Sequence, residues 1–201
     1  MVRIKTEVRE QVMGHTRQTL LDAAAQEFAS QGYDQANINT ISTQAGFAKG
    51  TIYNYFPSKQ ALLLALIDAI AQEHLEYLQS AVLEIDDPAG RLERLFQAGF
   101  EYVPTHLHRA RVMFNTINGS SQEHKEYCLR AYQPIFQLVA EQILLPGMQQ
   151  GIFQQTAMEP LVVLLMSIYL GTASQVDEKG RPWLDSSVVA GFVLRALRPL
   201  E

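Results

Sequence analysis

Residues 32 to 59 read Gly32-Tyr33-Asp34-Gln35-Ala36-Asn37-Ile38-Asn39-Thr40-Ile41-Ser42-Thr43-Gln44-Ala45-Gly46-Phe47-Ala48-Lys49-Gly50-Thr51-Ile52-Tyr53-Asn54-Tyr55-Phe56-Pro57-Ser58-Lys59. They describe two short helices around a glycine turn, a helix-turn-helix. Asn37 is placed to cap a first helix whose apolar positions, Ile38, Ile41 and Ala45, recur every three to four residues and form one buried stripe. Gly46 ends it, because a residue without Cβ enters the left-handed region that a tight reversal needs. A second helix is expected at once, with Phe47, Ile52 and Phe56 inward. That arrangement turns Lys49, Gly50, Thr51, Tyr53 and Asn54 outward, a short polar face suited to the edges of bases in a major groove and to the flanking phosphates.

Several spaced elements of this stretch resemble the TetR family of transcriptional regulators. They are Gly32-Tyr33 closing a first helix, Ile41 to Ala45-Gly46, Lys49-Gly50-Thr51-Ile52-Tyr53, Tyr55-Phe56, and Ser58-Lys59 with Leu62 opening a long helix. The match covers roughly the first third of the chain. Two positions depart from the family pattern: Ala48 stands where a Ser or Thr commonly caps the recognition helix, and Ala36-Asn37 replaces a common Thr-Thr. A lost side-chain cap costs about 1 kcal/mol, so the recognition helix is expected to order fully on DNA. Carried over by position, the resemblance implies that Asn37 meets a phosphate, that Lys49, Gly50, Thr51 and Tyr53 enter the groove with Asn54 beside them, that Tyr53 and Tyr55 bond phosphates, and that Lys59 adds a charge. The ring of Tyr55 has an alternative place against the first helix.

Composition fits a globular chain. Of 201 residues, 47% are hydrophobic and 18% charged, outside both the disordered and the membrane classes. The longest apolar run, 161–173, is short of the roughly 20 residues that cross a bilayer. The start, residues 1–7, has no apolar stretch of the secretory kind, so the chain is expected in the cytoplasm, and the single Cys128 suits a reducing compartment. The net charge of −5 is unevenly spread: residues 1–60 hold six basic and five acidic side chains, the remainder ten and sixteen. Acidity therefore lies away from the proposed DNA surface. Few phosphates can be neutralised, which predicts modest nonspecific affinity.

No segment alternates as a strand does, and the fold is expected to be all-α with about nine helices: a helix-turn-helix DNA-binding domain over 1–57 and a helical effector-binding and dimerisation domain over 58–201. A first helix over about 8–30 presents Leu20, Leu21, Ala24 and Phe28 to the motif, and Arg3 and Lys5 before it read as a DNA-touching arm or a frayed end. A helix from about Ser58 to Leu83 follows. Further starts are marked by Asp87-Pro88, by Ser120-x-x-Glu123 and Thr156-x-x-Glu159, and by Asp185. Pro104 is expected to separate two helices, and Pro134 and Pro146 to kink or interrupt a longer one.

The last two helices carry the stripes Leu161, Leu164, Leu165, Ile168, Tyr169 and Val188, Val189, Phe192, Val193, Ala196, Leu197. Such stripes either close the chain's own core or meet a second copy. The resemblance implies the latter, a homodimer, which would set two recognition helices about 34 Å apart on a palindromic double-stranded operator. The resemblance also implies a pocket for a small, largely apolar effector, with Phe96, Phe100, Met113, Phe114, Tyr127, Tyr132, Phe136 and Tyr169 as lining candidates, each of which also reads as ordinary core. The resemblance further implies release of the operator on effector binding, that is, a repressor. No metal or cofactor is expected, although His106, His108, His124 and Cys128 lie at spacings that a metal-responsive regulator could use. The alternatives are an all-α enzyme acting on a molecule in the pocket, for which no catalytic motif stands out, and an architectural DNA binder, which would carry more basic charge.

Overall fold

The computed structural model describes residues 2–199, with side chains from residue 8 onward. It is all-α. Its helices are α1 (Val2–Gln35), α2 (Ile38–Gln44), a 3-10 turn (Thr51–Asn54), α3 (Lys59–Val82), α4 (Pro88–Thr105), α5 (Leu107–Ile117), α6 (Gln122–Ala131), α7 (Gln133–Val139), a π stretch (Ala140–Leu144), α8 (Leu145–Gln149), α9 (Met158–Ala173) and α10 (Ser186–Leu197). Among the described residues the only extended pairing is one bridge between Val176 and Pro182. The chain divides into two compact units, residues 1–70 with 111–128 and residues 71–110 with 129–201.

In the first unit, Leu20, Leu21, Ala24 and Phe28 of α1 are buried together with Ile38 and Ile41 of α2, Ile52 and Phe56, as the three-to-four spacing requires. The first helix is longer than the expected 8–30. Its backbone is helical from Val2, so Arg3 and Lys5 extend α1 rather than form a separate arm, and it kinks at Gly32, whose φ of 73° and ψ of 170° are not helical.

Capping explains most boundaries. Asp87 accepts the Gly90 N–H at 2.7 Å with Pro88 opening the helix, and Asp185 accepts the Ser187 N–H at 2.8 Å, as read from the sequence. The cap of α6 is Ser121, not Ser120: its Oγ accepts the His124 N–H at 3.3 Å. Thr156 caps nothing; Ala157 is the residue before α9, with no side-chain bond. The two prolines act differently: at Pro134 the run from 121 is interrupted as expected, α6 ending at Ala131 and α7 starting at Gln133, whereas the chain stays helical through Pro146. Pro134 sits in the first turn of α7, where a missing N–H costs nothing. Pro146 cannot donate to the carbonyl four residues back, at Gln142; that oxygen instead accepts from the Arg91 guanidinium at 2.8 Å, and the helix passes the proline through a π stretch.

The second unit packs α10 and α9 against α4. Gly99 of α4 permits this closeness: a Cβ there would lie 2.1 Å from the Tyr169 hydroxyl of α9. The two C-terminal stripes split along their length. Leu165, Val189, Val193 and Leu197 are buried in this unit's own core, whereas Leu164, Val188 and Phe192 are about 60% exposed, as is Val163 at 54%. Leu161 and Ile168 are half-buried and Ala196 is exposed.

Candidate nucleic-acid interface and effector core

The turn of the motif rests on two glycines. Gly46, at φ 82°, ends α2, and Gly50, at φ 94°, leads into the next element. That element is one 3-10 turn, Thr51–Asn54, not the helix from Phe47 onward that the apolar spacing predicts. The cause is local. No side chain caps it, Gly50 is left-handed immediately before it, and Thr51 and Ile52 are β-branched. Ser42, buried in α2, takes over part of the missing cap's work: its hydroxyl donates to the Ala48 carbonyl at 2.7 Å and pins the turn from below.

Of the outward candidates, Lys49, Tyr53 and Asn54 are exposed, while Gly50, Thr51 and Tyr55 are half-buried. Asn37, Tyr53 and Lys59 line one cleft of about 410 Å³. Asn37 is held from two sides: its side-chain oxygen accepts the Asn39 N–H at 2.9 Å, and its own N–H donates to the buried Glu27 carboxylate at 3.1 Å. The amide NH₂ takes part in neither bond. Arg17 lies over the Phe56 ring at 5.3 Å, bracing the end of the motif. Sequence reasoning missed Glu27, Ser42 and Arg17, because their partners are ten, six and 39 positions away.

Lys59 has a second duty. Its ammonium donates to the carbonyls of Asp34, at 2.9 Å, and Ala36, at 3.2 Å, and sits 4.9 Å from the centroid of the Tyr33 ring. Two of its three N–H groups thus hold the chain between α1 and α2. Lys59→Ala is therefore expected to lower stability by about 1–2 kcal/mol as well as reduce the salt slope of DNA binding by about one unit. Thermal melts and salt titrations of the same variant measure the two effects separately. An unchanged melting temperature would leave only the phosphate role.

In the second unit the aromatic residues gather around a buried histidine. His74 of α3 meets the Tyr169 hydroxyl at 2.9 Å and the Tyr132 hydroxyl at 3.3 Å, and its ring stacks on Tyr102 at 4.3 Å, which stacks in turn on His106 at 4.1 Å. Burial pushes the His74 imidazole down to about 3, with His106 adding to the shift, so it is neutral at physiological pH. The Tyr102 and Tyr169 phenols are raised by burial, with nearby groups adding to each shift. The Tyr102 hydroxyl is buried without a hydrogen-bond partner, an arrangement that ordinarily marks a place for a further polar atom. Phe96 joins this cluster through Tyr169, at 5.9 Å. Phe100 is buried and Phe136 half-buried in the same unit, whereas Met113, Phe114 and Tyr127 belong to the first unit, where Tyr127 donates to Asp68 at 2.8 Å. His74 had a signal in the sequence: it continues the four-residue stripe Leu66, Ile70, Leu78 of α3.

The remaining histidines and the cysteine are otherwise engaged. His106 pairs with Glu73 at 3.1 Å, and Glu73 also binds Arg109. His124 packs edge-on to Tyr33, and His108 is exposed. Cys128 is fully buried, which pushes its thiol up to about 12 and disfavours the thiolate that a metal would need. Among the described residues no group of three His, Cys, Asp or Glu side chains is placed to hold a metal, and no helix is long and apolar enough to cross a membrane.

Comparison with known proteins gives a consistent result. Residues 20–66 match the family model of bacterial regulatory proteins, tetR family. The chain is 35% identical over 65 residues to the fatty acid metabolism regulator protein of Bacillus subtilis, spanning 32% of this chain and about a third (34%) of that relative's length. It is 27% identical over 151 residues to the HTH-type transcriptional repressor NicS of Pseudomonas putida, covering 75% of this chain and 71% of NicS. Its fold superimposes on the crystal structure of the regulator FadR from Bacillus subtilis in complex with stearoyl-CoA with a TM-score of 0.77, at 22% identity, covering 89% of this chain and 95% of that one.

Proposed function

The chain belongs to the TetR family of bacterial regulatory proteins, and from that premise we propose that it is a homodimeric, sequence-specific repressor that binds a palindromic operator and releases it when a small, largely apolar molecule enters the C-terminal unit. The observation that carries this reading is the braced motif: exposed Lys49, Tyr53 and Asn54 are presented from a turn fixed by Gly46, Gly50, Ser42 and Lys59. Functionally, residues 1–57 are the DNA-binding part and 58–201 the effector and dimerisation part.

Dimerisation is supported by the exposed large apolar side chains Val163 and Leu164 of α9 and Val188 and Phe192 of α10, the kind of surface that a second copy covers. An apolar effector is supported by the aromatic cluster around His74, by the relative named for fatty acid metabolism and by the stearoyl-CoA found in the similar fold. The unpartnered Tyr102 hydroxyl is the group we assign to its polar end. The effector's exit or entry changes DNA affinity through a coupling that, in proteins of this kind, is typically about 1–3 kcal/mol.

The test is selection of bound fragments from a random DNA pool by the purified chain. A two-fold symmetric consensus that loses enrichment with Thr51→Ala and Tyr53→Ala is the expected result. Absence of any consensus would overturn the reading, and turnover of a candidate effector would favour an enzyme.

A further inference from the structure

A cavity of about 570 Å³ is lined wholly by residues of the first unit. Its size is within the usual range for small-molecule sites. The floor is apolar, formed by Phe28 of α1, Leu63 of α3 and Val112 of α5, all buried. The rim is polar and accessible. Asp34, Asn115, Thr116 and Asn118 stand along it. Thr116 donates its hydroxyl proton to the Val112 carbonyl at 2.8 Å, and Asn118 donates its amide to the Phe114 carbonyl at 2.9 Å. The Thr116 oxygen is thereby left as an acceptor, and Asn118 keeps its carbonyl oxygen and one N–H.

Charge points the same way. After burial, the largest cause, the carboxylates of Asp34 and Glu123 are what raise the Tyr33 phenol, so both are felt on this wall. Lys59 is not among the lining side chains; its ammonium is turned to the carbonyls of Asp34 and Ala36. Among the side chains that line the cavity Asp34 is the one carboxylate and none is a lysine or arginine, so an ammonium meets an opposite charge at the rim and an anion does not. We infer that this cavity is a second effector site, for a small monocationic amine with a flat apolar body: the body covers Phe28, Leu63 and Val112, and the ammonium faces Asp34, Thr116 and Asn118.

The site would be read by the motif at short range. Tyr33 forms its wall and is also the ring on which Lys59 rests, and Lys59 holds the carbonyls of Asp34 and Ala36 next to the α2 cap at Asn37. A ligand that displaces the Tyr33 ring loosens that brace and weakens DNA binding. This second step rests on the DNA-binding reading; occupancy of the cavity does not.

The experiment is calorimetric titration of the full chain with 2-(1-naphthyl)ethylamine, 1-naphthylacetate and 1-ethylnaphthalene. Saturable binding of the amine, with the acid at least about tenfold weaker, is expected. Asp34→Asn, an exposed change that keeps the backbone carbonyl used by Lys59, is expected to weaken the amine about tenfold, and Thr116→Trp, which fills the cavity, to abolish it. No saturation by about 1 mM amine, equal binding of amine and acid, or unchanged binding in both variants would overturn the site. With a selected operator fragment, the amine is expected to lower DNA affinity in the parent chain and not in Thr116→Trp; amine binding without that loss would overturn the coupling alone.

Discussion

Replacing Leu164 and Phe192 together by glutamate is expected to leave the chain monomeric at micromolar concentration and to lower its affinity for a palindromic operator by about a hundredfold or more. Both side chains are about 60% exposed on α9 and α10, whose other faces, through Leu165, Val189 and Val193, already close the unit's core. The substitutions therefore touch no buried packing, and the helical content should survive. Two half-sites bound by one dimer gain an effective concentration that a monomer lacks, commonly worth two to four orders of magnitude, or about 10²–10⁴. Light scattering gives the mass and a fluorescence anisotropy titration the affinity. A dimer of unchanged mass would move the interface elsewhere, and a monomer with full affinity would remove the need for one.

Stability is expected to fall by about 2 kcal/mol between pH 6.5 and pH 5, and the loss is expected to be largely absent in His74→Gln. The His74 pKa is lowered from 6.5 to about 3 by burial. Above pH 6.5 the imidazole is neutral in both folded and unfolded chains and contributes no pH dependence. Below that value the unfolded chain gains a proton that the folded one refuses until about pH 3, so folding weakens by about 1.4 kcal/mol per pH unit across the window. Urea denaturation at several pH values measures the slope directly. A variant as pH-sensitive as the parent would show that the titrating group lies elsewhere.

What the sequence made legible was local. The helix-turn-helix could be read because Asn37, Gly46 and the Ile38–Ile41 spacing act within a few residues of one another, and Asp87 and Asp185 cap helices three and two residues away. The C-terminal stripes were visible, but periodicity cannot say which half of a broad stripe faces the chain's own core, so Leu164 and Leu165 read alike though one is exposed and the other buried. The recognition segment was misread as a helix because its apolar positions fit one, while Gly50's left-handed backbone, decided by the turn, limits it to a single 3-10 turn. Pro146 was read as an interruption because its substitute partner, Arg91, lies far away in the chain. The aromatic set around His74 could be listed from composition; which of its members meet was a matter of tertiary packing.

The Lys59 brace reaches back 23 and 25 residues, and it bears on autonomy. The peptide ending at residue 57 contains every side chain proposed to meet bases, yet it lacks the ammonium that fixes the two carbonyls ahead of α2. Severed there, the motif would keep its reading residues and lose its alignment. The recognition module is thus longer than the surface that does the reading: its smallest transplantable form runs into the first turns of α3, and a chimera joined at residue 57 would inherit the chemistry without the posture.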